Sequence, residues 1–181
     1  SIALIVTWGA VQWMALWADK MAGVDVPKAK AYTQVLSAAG AIIGCLVGAW
    51  IGGRFGRRPA YFILCLTSLV SGSYLFRGVD TYGPTFLVMA FLVGGFTASF
   101  YGWLPLYLPE LFPTRVRATA QGLSYNFGRI LAALGALQMG SLMQTFDGDY
   151  ARAGATVVLI YVVGLGLIWL APETKGKPLP D

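Results

Sequence analysis

An all-α integral membrane protein of six transmembrane helices is the fold class this sequence predicts, and three observations carry the prediction. Hydrophobic residues make up 57% of the 181 and charged residues only 12%, against about 25% charge in ordinary soluble domains. Six apolar runs, about 1–17, 31–52, 60–76, 85–108, 117–143 and 153–170, each approach or exceed the ~20 residues that cross a hydrocarbon core. Nearly all the Lys and Arg residues sit in the short links between these runs, where they set orientation in a bilayer. The whole of 1–181 reads as one six-helix domain ending in a cytoplasmic tail at 171–181.

The first run, apolar and aromatic, begins at Ser1 without a charged leader or a cleavage site, so no signal peptide is expected, and the leading turn of the helix is expected to be missing. Trp8, Gln12 and Asp19 fall near one stripe at helical spacing, with Trp13 and Trp17 on the next. Trp8 and Gln12 are candidates for a cavity wall or for helix contact, and Asp19 is placed at the far interface. In the second run Gly40, Gly44, Gly48 and Gly52 recur at i, i+4. That leaves one helix side bare, so another backbone can approach closely. The link GGRFGRRPAY follows, with Pro59 placed to open the third helix. RGVDTYGP returns the chain, and the fourth run carries Pro105 and Pro109 near its end, where a kink or an unwound end is expected. The fifth and sixth runs are joined by QTFDGDYAR.

Composition excludes several function classes. The net charge of +5 would suggest nucleic acid in a soluble chain, but these charges lie between apolar runs, and no nucleic-acid partner is read. Histidine is absent, and Cys45 and Cys65 lie in apolar runs without metal-ligand spacing, so neither a metal nor a cofactor is expected. No nucleophile with a base and no paired carboxylates occur, which argues against an enzyme. Arg54, Arg57, Arg58, Arg115, Arg117, Lys175 and Lys177 fall on one side and Lys20, Lys28, Lys30, Arg77 and Arg152 on the other. Seven against five favours cytoplasmic termini.

Arg129 stands apart from both sets. Counting from Arg117, it lies ~18 Å along the fifth helix, about halfway through a ~30 Å core. A guanidinium there costs ~3 kcal/mol or more and calls for a compensating role. Gln121, Tyr125 and Arg129 share a stripe at i, i+4, with Asn126 one residue off it, which gives this apolar helix a polar face. The planar fork of arginine suits a carboxylate held by two hydrogen bonds, with Tyr125 and Asn126 completing its orientation. The alternative is that Arg129 holds a neighbouring helix through backbone carbonyls.

The run Gly53-Arg54-Phe55-Gly56-Arg57-Arg58, the set Glu110, Arg115 and Arg117, and Pro172 to Gly176 (PETKG) together resemble the C-terminal six-helix half of a major facilitator superfamily transporter. The superfamily's loop signature ends in D-R-x-G-R-R. Here Gly53 replaces its aspartate, which implies a weaker charge cluster at the cytoplasmic gate formed by Arg54, Gly56, Arg57, Arg58, Glu110, Arg115 and Arg117. PETKG is similar to the tail motif of sugar porters and their organic-acid relatives. QGLSYNFGR, Gln121 to Arg129, looks more like the organic-anion and aromatic-acid branches, including sialic-acid-type proton symporters.

The resemblance implies two inverted three-helix repeats in the plasma (inner) membrane, moving a small organic anion by alternating access with proton coupling. It also implies that Arg129 pairs with the substrate carboxylate. No Asp or Glu lies deep in the six runs, so a titrating carboxylate would come from a segment outside this chain. The other readings are a porter of sugars or other neutral solutes, and a structural or regulatory membrane protein of the same fold. Six helices supply one side of a cavity, so a second six-helix body is expected, either an N-terminal half or a second copy of the chain. Two copies would bring two Arg129 side chains to one cavity, and their repulsion favours the N-terminal half.

Overall fold

The computed structural model of the chain describes residues 2–180, and every side chain among them except those of Gln138 and Met139. The described residues form helices and no strand. The helices are α1 (Ile2–Gly9), α2 (Met14–Ala22), α3 (Ala29–Phe55), α4 (Arg57–Gly78), α5 (Pro84–Glu110), α6 (Arg117–Thr145), α7 (Tyr150–Val158) and α8 (Ile160–Leu167). Single 3₁₀ turns, Val11–Trp13 and Ile168–Leu170, join α1 to α2 and end α8.

Among the described residues, five spans are long and apolar enough to cross a membrane: Ile2–Ala22, Ala29–Phe55, Arg57–Gly78, Pro84–Glu110 and Tyr150–Leu170. The sixth, α6, has the length, at 29 residues, but not the apolarity, because Gln121, Ser124, Asn126 and Arg129 interrupt it. A helix of this kind needs a polar neighbour or water on one side.

Several boundaries differ from the sequence reading. The first span continues through Asp19 and Lys20 to Ala22, where Gly23 ends it with φ of 55°. It is also broken at Ala10, whose φ of −134° and ψ of −55° leave the helical region. The fourth span keeps its helix through Pro105 and Pro109 to Glu110. The last span starts at Tyr150, three residues early, because Asp149 caps it: its Oδ1 accepts from the backbone N–H groups of Ala151 and Arg152 at 2.9 and 3.1 Å.

The packing centre is aromatic. Trp17 stacks on Phe76 with ring centroids 5.5 Å apart and meets Phe86 edge-on at 5.2 Å. Deeper along the bundle Phe100 lies between Tyr61 and Tyr161, at 5.1 and 5.8 Å. Against this core α3 packs on α5 almost without side chains. A Cβ on Gly40, Gly44 or Gly48 would overlap the carbonyl oxygen of Phe91, Gly95 or Ser99, and one on Gly94 or Gly102 that of Ser37 or Cys45. Gly52 differs, since its Cβ would meet the Trp103 side chain at 3.0 Å rather than backbone. The outer faces of α3 and α6 carry exposed large apolar residues, among them Ile42, Leu46 and Trp50 on α3 and Leu123, Phe127, Ile130 and Leu134 on α6.

Candidate functional site

Two cavities open between the spans. The larger, of about 700 Å³, lies between α1, the Val11–Trp13 turn, α2, α3 and α5. Trp8 and Gln12 are in its wall, where the break at Ala10 brings the turn into the cavity. Thr7, Gln34, Ser37, Thr97 and Tyr101 supply further neutral hydrogen-bonding groups, and among the described residues no Asp, Glu, Lys or Arg lines it. The smaller cavity, of about 430 Å³, lies between α5 and α6, and Gln121 and Tyr125 form its α6 side. Behind the larger one, the fully buried Tyr161 points its hydroxyl at Thr97 Oγ1, 3.5 Å away.

The six residues singled out for solute binding are therefore divided. Trp8 and Gln12 share the larger cavity, and Gln121 and Tyr125 the smaller. Asn126 is exposed and donates back to the Gly122 carbonyl at 2.8 Å. Arg129 is exposed on α6, and among the described residues its guanidinium has no hydrogen bond or ion pair. Gly122, Ala133 and Ala136, which share its side of the helix by spacing, leave room around it. Thr97 and Tyr101 were not singled out from the sequence, although their i, i+4 spacing in an apolar run would have marked one polar edge of α5.

At the Arg57 end of the bundle the charged motifs meet. Arg57 is 9% exposed; its Nε and Nη2 donate to Glu110, and Nη1 to the Gly52 carbonyl at 2.6 Å. Thr174 Oγ1 donates to the same Glu110 carboxylate at 2.6 Å. Glu173 closes the N-terminus of α4: its two oxygens accept the backbone N–H groups of Arg57 and Arg58, each at 2.9 Å, and Oε1 also accepts those of Thr174 and Lys175. A carboxylate at a helix N-terminus meets both the unpaired N–H groups and the positive end of the dipole. Partial burial pushes the Glu173 carboxyl upward, but these four N–H donors outweigh it and hold it below the ordinary carboxylate range.

Gly56 is built for this contact, with φ of 101° and a position where a Cβ would come within 3.2 Å of Glu173 Oε2. Arg58 donates to the Ala171 carbonyl and Lys175 to that of Arg54. Arg117 bonds the carbonyls of Pro109, Phe112 and Pro180, at 3.0, 3.2 and 3.0 Å. Of the residues assigned to the charged motif, the side chains of Arg54 and Arg115 make no hydrogen bond or ion pair among the described residues. Glu110 pairs with Arg57 rather than with Arg115 or Arg117, and Glu173 was read from the sequence only as interfacial.

These spans, the first broken and the fifth polar beside cavities, make an all-helical membrane domain. The chain belongs to the Major Facilitator Superfamily, whose family model matches residues 1–180. A Haemophilus influenzae protein named for metabolite transport is 29% identical over 178 residues, covering 95% of this chain and 41% of that protein. A protein of Cupriavidus pinatubonensis named as a probable 4-methylmuconolactone transporter is 32% identical over 145 residues, covering 80% of this chain and 33% of that protein. The xylose transporter XylE of E. coli, in a partially occluded inward-open conformation, has the same fold with a TM-score of 0.69 at 19% identity, covering 96% of this chain and 48% of that one. The chain thus spans less than half the length of each. Both named relatives carry transporter names and neither is named as an enzyme, and the chain is an integral membrane protein.

Proposed function

We propose that the chain forms one half of a secondary active transporter that moves a small organic anion, a carboxylate, by alternating access with proton coupling, and that Arg129 receives the carboxylate. The observation that carries this reading is an arginine midway along α6 whose side chain has no hydrogen bond or ion pair among the described residues, on a long helix too polar to count as an ordinary membrane span. A charge left unpaired at that depth is stabilised by an anion that visits it. The muconolactone named for one relative is itself a carboxylic acid, which supports the same class.

The second body completing the cavity is an N-terminal six-helix half or a second copy of the chain. The exposed apolar ridge Leu123, Phe127, Ile130 and Leu134 on α6 supports such a contact. Both termini are assigned to the cytoplasmic side of the plasma (inner) membrane. The larger cavity favours a second reading, a porter of sugars or other neutral solutes, because its polar lining is uncharged. Uptake into proteoliposomes from a panel of carboxylates and sugars, with and without a pH gradient, separates the two. With the completing body present, carboxylate uptake that responds to the gradient supports the first, sugar uptake alone the second, and no uptake a structural role.

A further inference from the structure

Along α5 the two cavities follow one another. Gly94, Thr97, Ala98 and Tyr101 line the larger, and Tyr101, Leu104, Pro105 and Leu108 the smaller, so that Tyr101 alone belongs to both walls. Its hydroxyl donates to Thr7 Oγ1 on α1 at 3.1 Å. The Thr7 hydroxyl proton is already committed to the Ala3 carbonyl at 2.8 Å, so a lone pair is left for Tyr101.

We infer that Tyr101 is the partition between the two cavities, closing the larger one toward the Arg57 end of the bundle and held shut by its hydrogen bond to Thr7. The ring supplies the bulk, and the hydroxyl fixes its direction by tying α5 to α1. Gln121 and Tyr125 stand on the α6 side of the smaller cavity, but among the described residues the Tyr101 hydroxyl bonds to Thr7, which is therefore its anchor. A single neutral hydrogen bond shifts such an equilibrium only about fivefold, which suits a latch that opens and recloses at each passage. A solute moving from the neutral lining of the larger cavity to the α6 side must displace this ring, which makes Tyr101 a determinant of which solutes pass.

The inference stands on the cavities and one shared side chain, independently of the carboxylate reading, and its test needs no transport. Cys45 lies in the wall of the larger cavity, whereas Cys65 is fully buried. The protein in lipid vesicles is exposed, from the Arg57 face, to a charged thiol reagent that does not cross membranes, and modification of Cys45 is followed by mass spectrometry. The parent is expected to react slowly. Tyr101→Phe and Thr7→Val, which keep the ring and lose the latch, should react about fivefold faster, and Tyr101→Ala roughly tenfold or more, because truncation leaves a passage. Reagent added from the opposite face should modify all four proteins equally, which shows that the fold persists. Parental rates in Tyr101→Phe and Thr7→Val overturn the inference, whether or not Tyr101→Ala folds.

Discussion

Arg57 holds Glu110 through two parallel hydrogen bonds, Nε to Oε2 at 2.8 Å and Nη2 to Oε1 at 2.5 Å, and so ties the start of α4 to the end of α5. With the side chains only 11% and 19% exposed, removing one partner strands the other in a poorly solvated place. Arg57→Ala should cost about 2–4 kcal/mol of stability. Arg57→Lys should recover only part, because an ammonium cannot repeat the fork or reach the Gly52 carbonyl as well. A double-mutant cycle with Glu110→Gln in detergent unfolding should return a coupling above about 1 kcal/mol; additive single effects would mean the contact contributes nothing of its own.

Glu173 gives the fold an acid dependence with a defined sign. Its pKa is lowered in the folded chain, so its contribution is complete above the ordinary carboxylate range and is lost as pH falls through the lower, folded value. Melting temperature should therefore drop below about pH 4, and Glu173→Gln should flatten that part of the profile. At neutral pH the substitution should cost about 0.5–1 kcal/mol, the low end for a helix cap, because water screens the carboxylate.

The bare crossing of α3 and α5 predicts a sharp contrast between neighbouring glycines. Gly44→Leu and Gly48→Leu push a side chain into the carbonyls of Gly95 and Ser99, and each should cost at least ~1–3 kcal/mol or abolish folding. Gly53→Ala meets no atom within 4 Å and should express and melt like the parent. Equal behaviour of all three by expression and thermal melting would refute the crossing.

Arg129 should separate stability from function. With no hydrogen bond or ion pair among the described residues and an exposed side chain, Arg129→Ala should change stability by less than about 0.5 kcal/mol. Carboxylate affinity, measured by binding or uptake, should fall at least about tenfold, with Arg129→Lys also impaired. Affinity within twofold of the parent would remove Arg129 from the solute site.

The features legible in the sequence were those written at short range. Gly40, Gly44 and Gly48 stand on one helix side by spacing alone, and α5 proved to cross there. Gln121 and Tyr125, four apart on α6, were visible in the same way, and both line the smaller cavity. The link from Glu173 to Arg57 spans 116 residues, and no local pattern distinguishes a carboxylate that caps a distant helix from one facing water. The break at Ala10 carries no proline, and its one local signal is Gly9 just before it, a weak one in an apolar run. Tyr101 looked like one more aromatic in an apolar run until Thr7 came beside it.

Helix pairs usually absorb shear by side chains changing rotamer between them. The seam between α3 and α5 has almost none to change, because carbonyl oxygens of each helix sit where the other has no Cβ. The two therefore behave as a single stiff keel running the thickness of the bundle. Any deformation of this body must be taken up at Ala10, where the backbone leaves the helical region, at Leu159, where i, i+3 hydrogen bonds tighten a still helical backbone, or at α6, whose buried residues among those described are Gly128 and Ala132. That sorts five of the six spans mechanically: a two-helix keel that keeps its shape, two jointed flanks, and one loosely seated helix that carries Arg129.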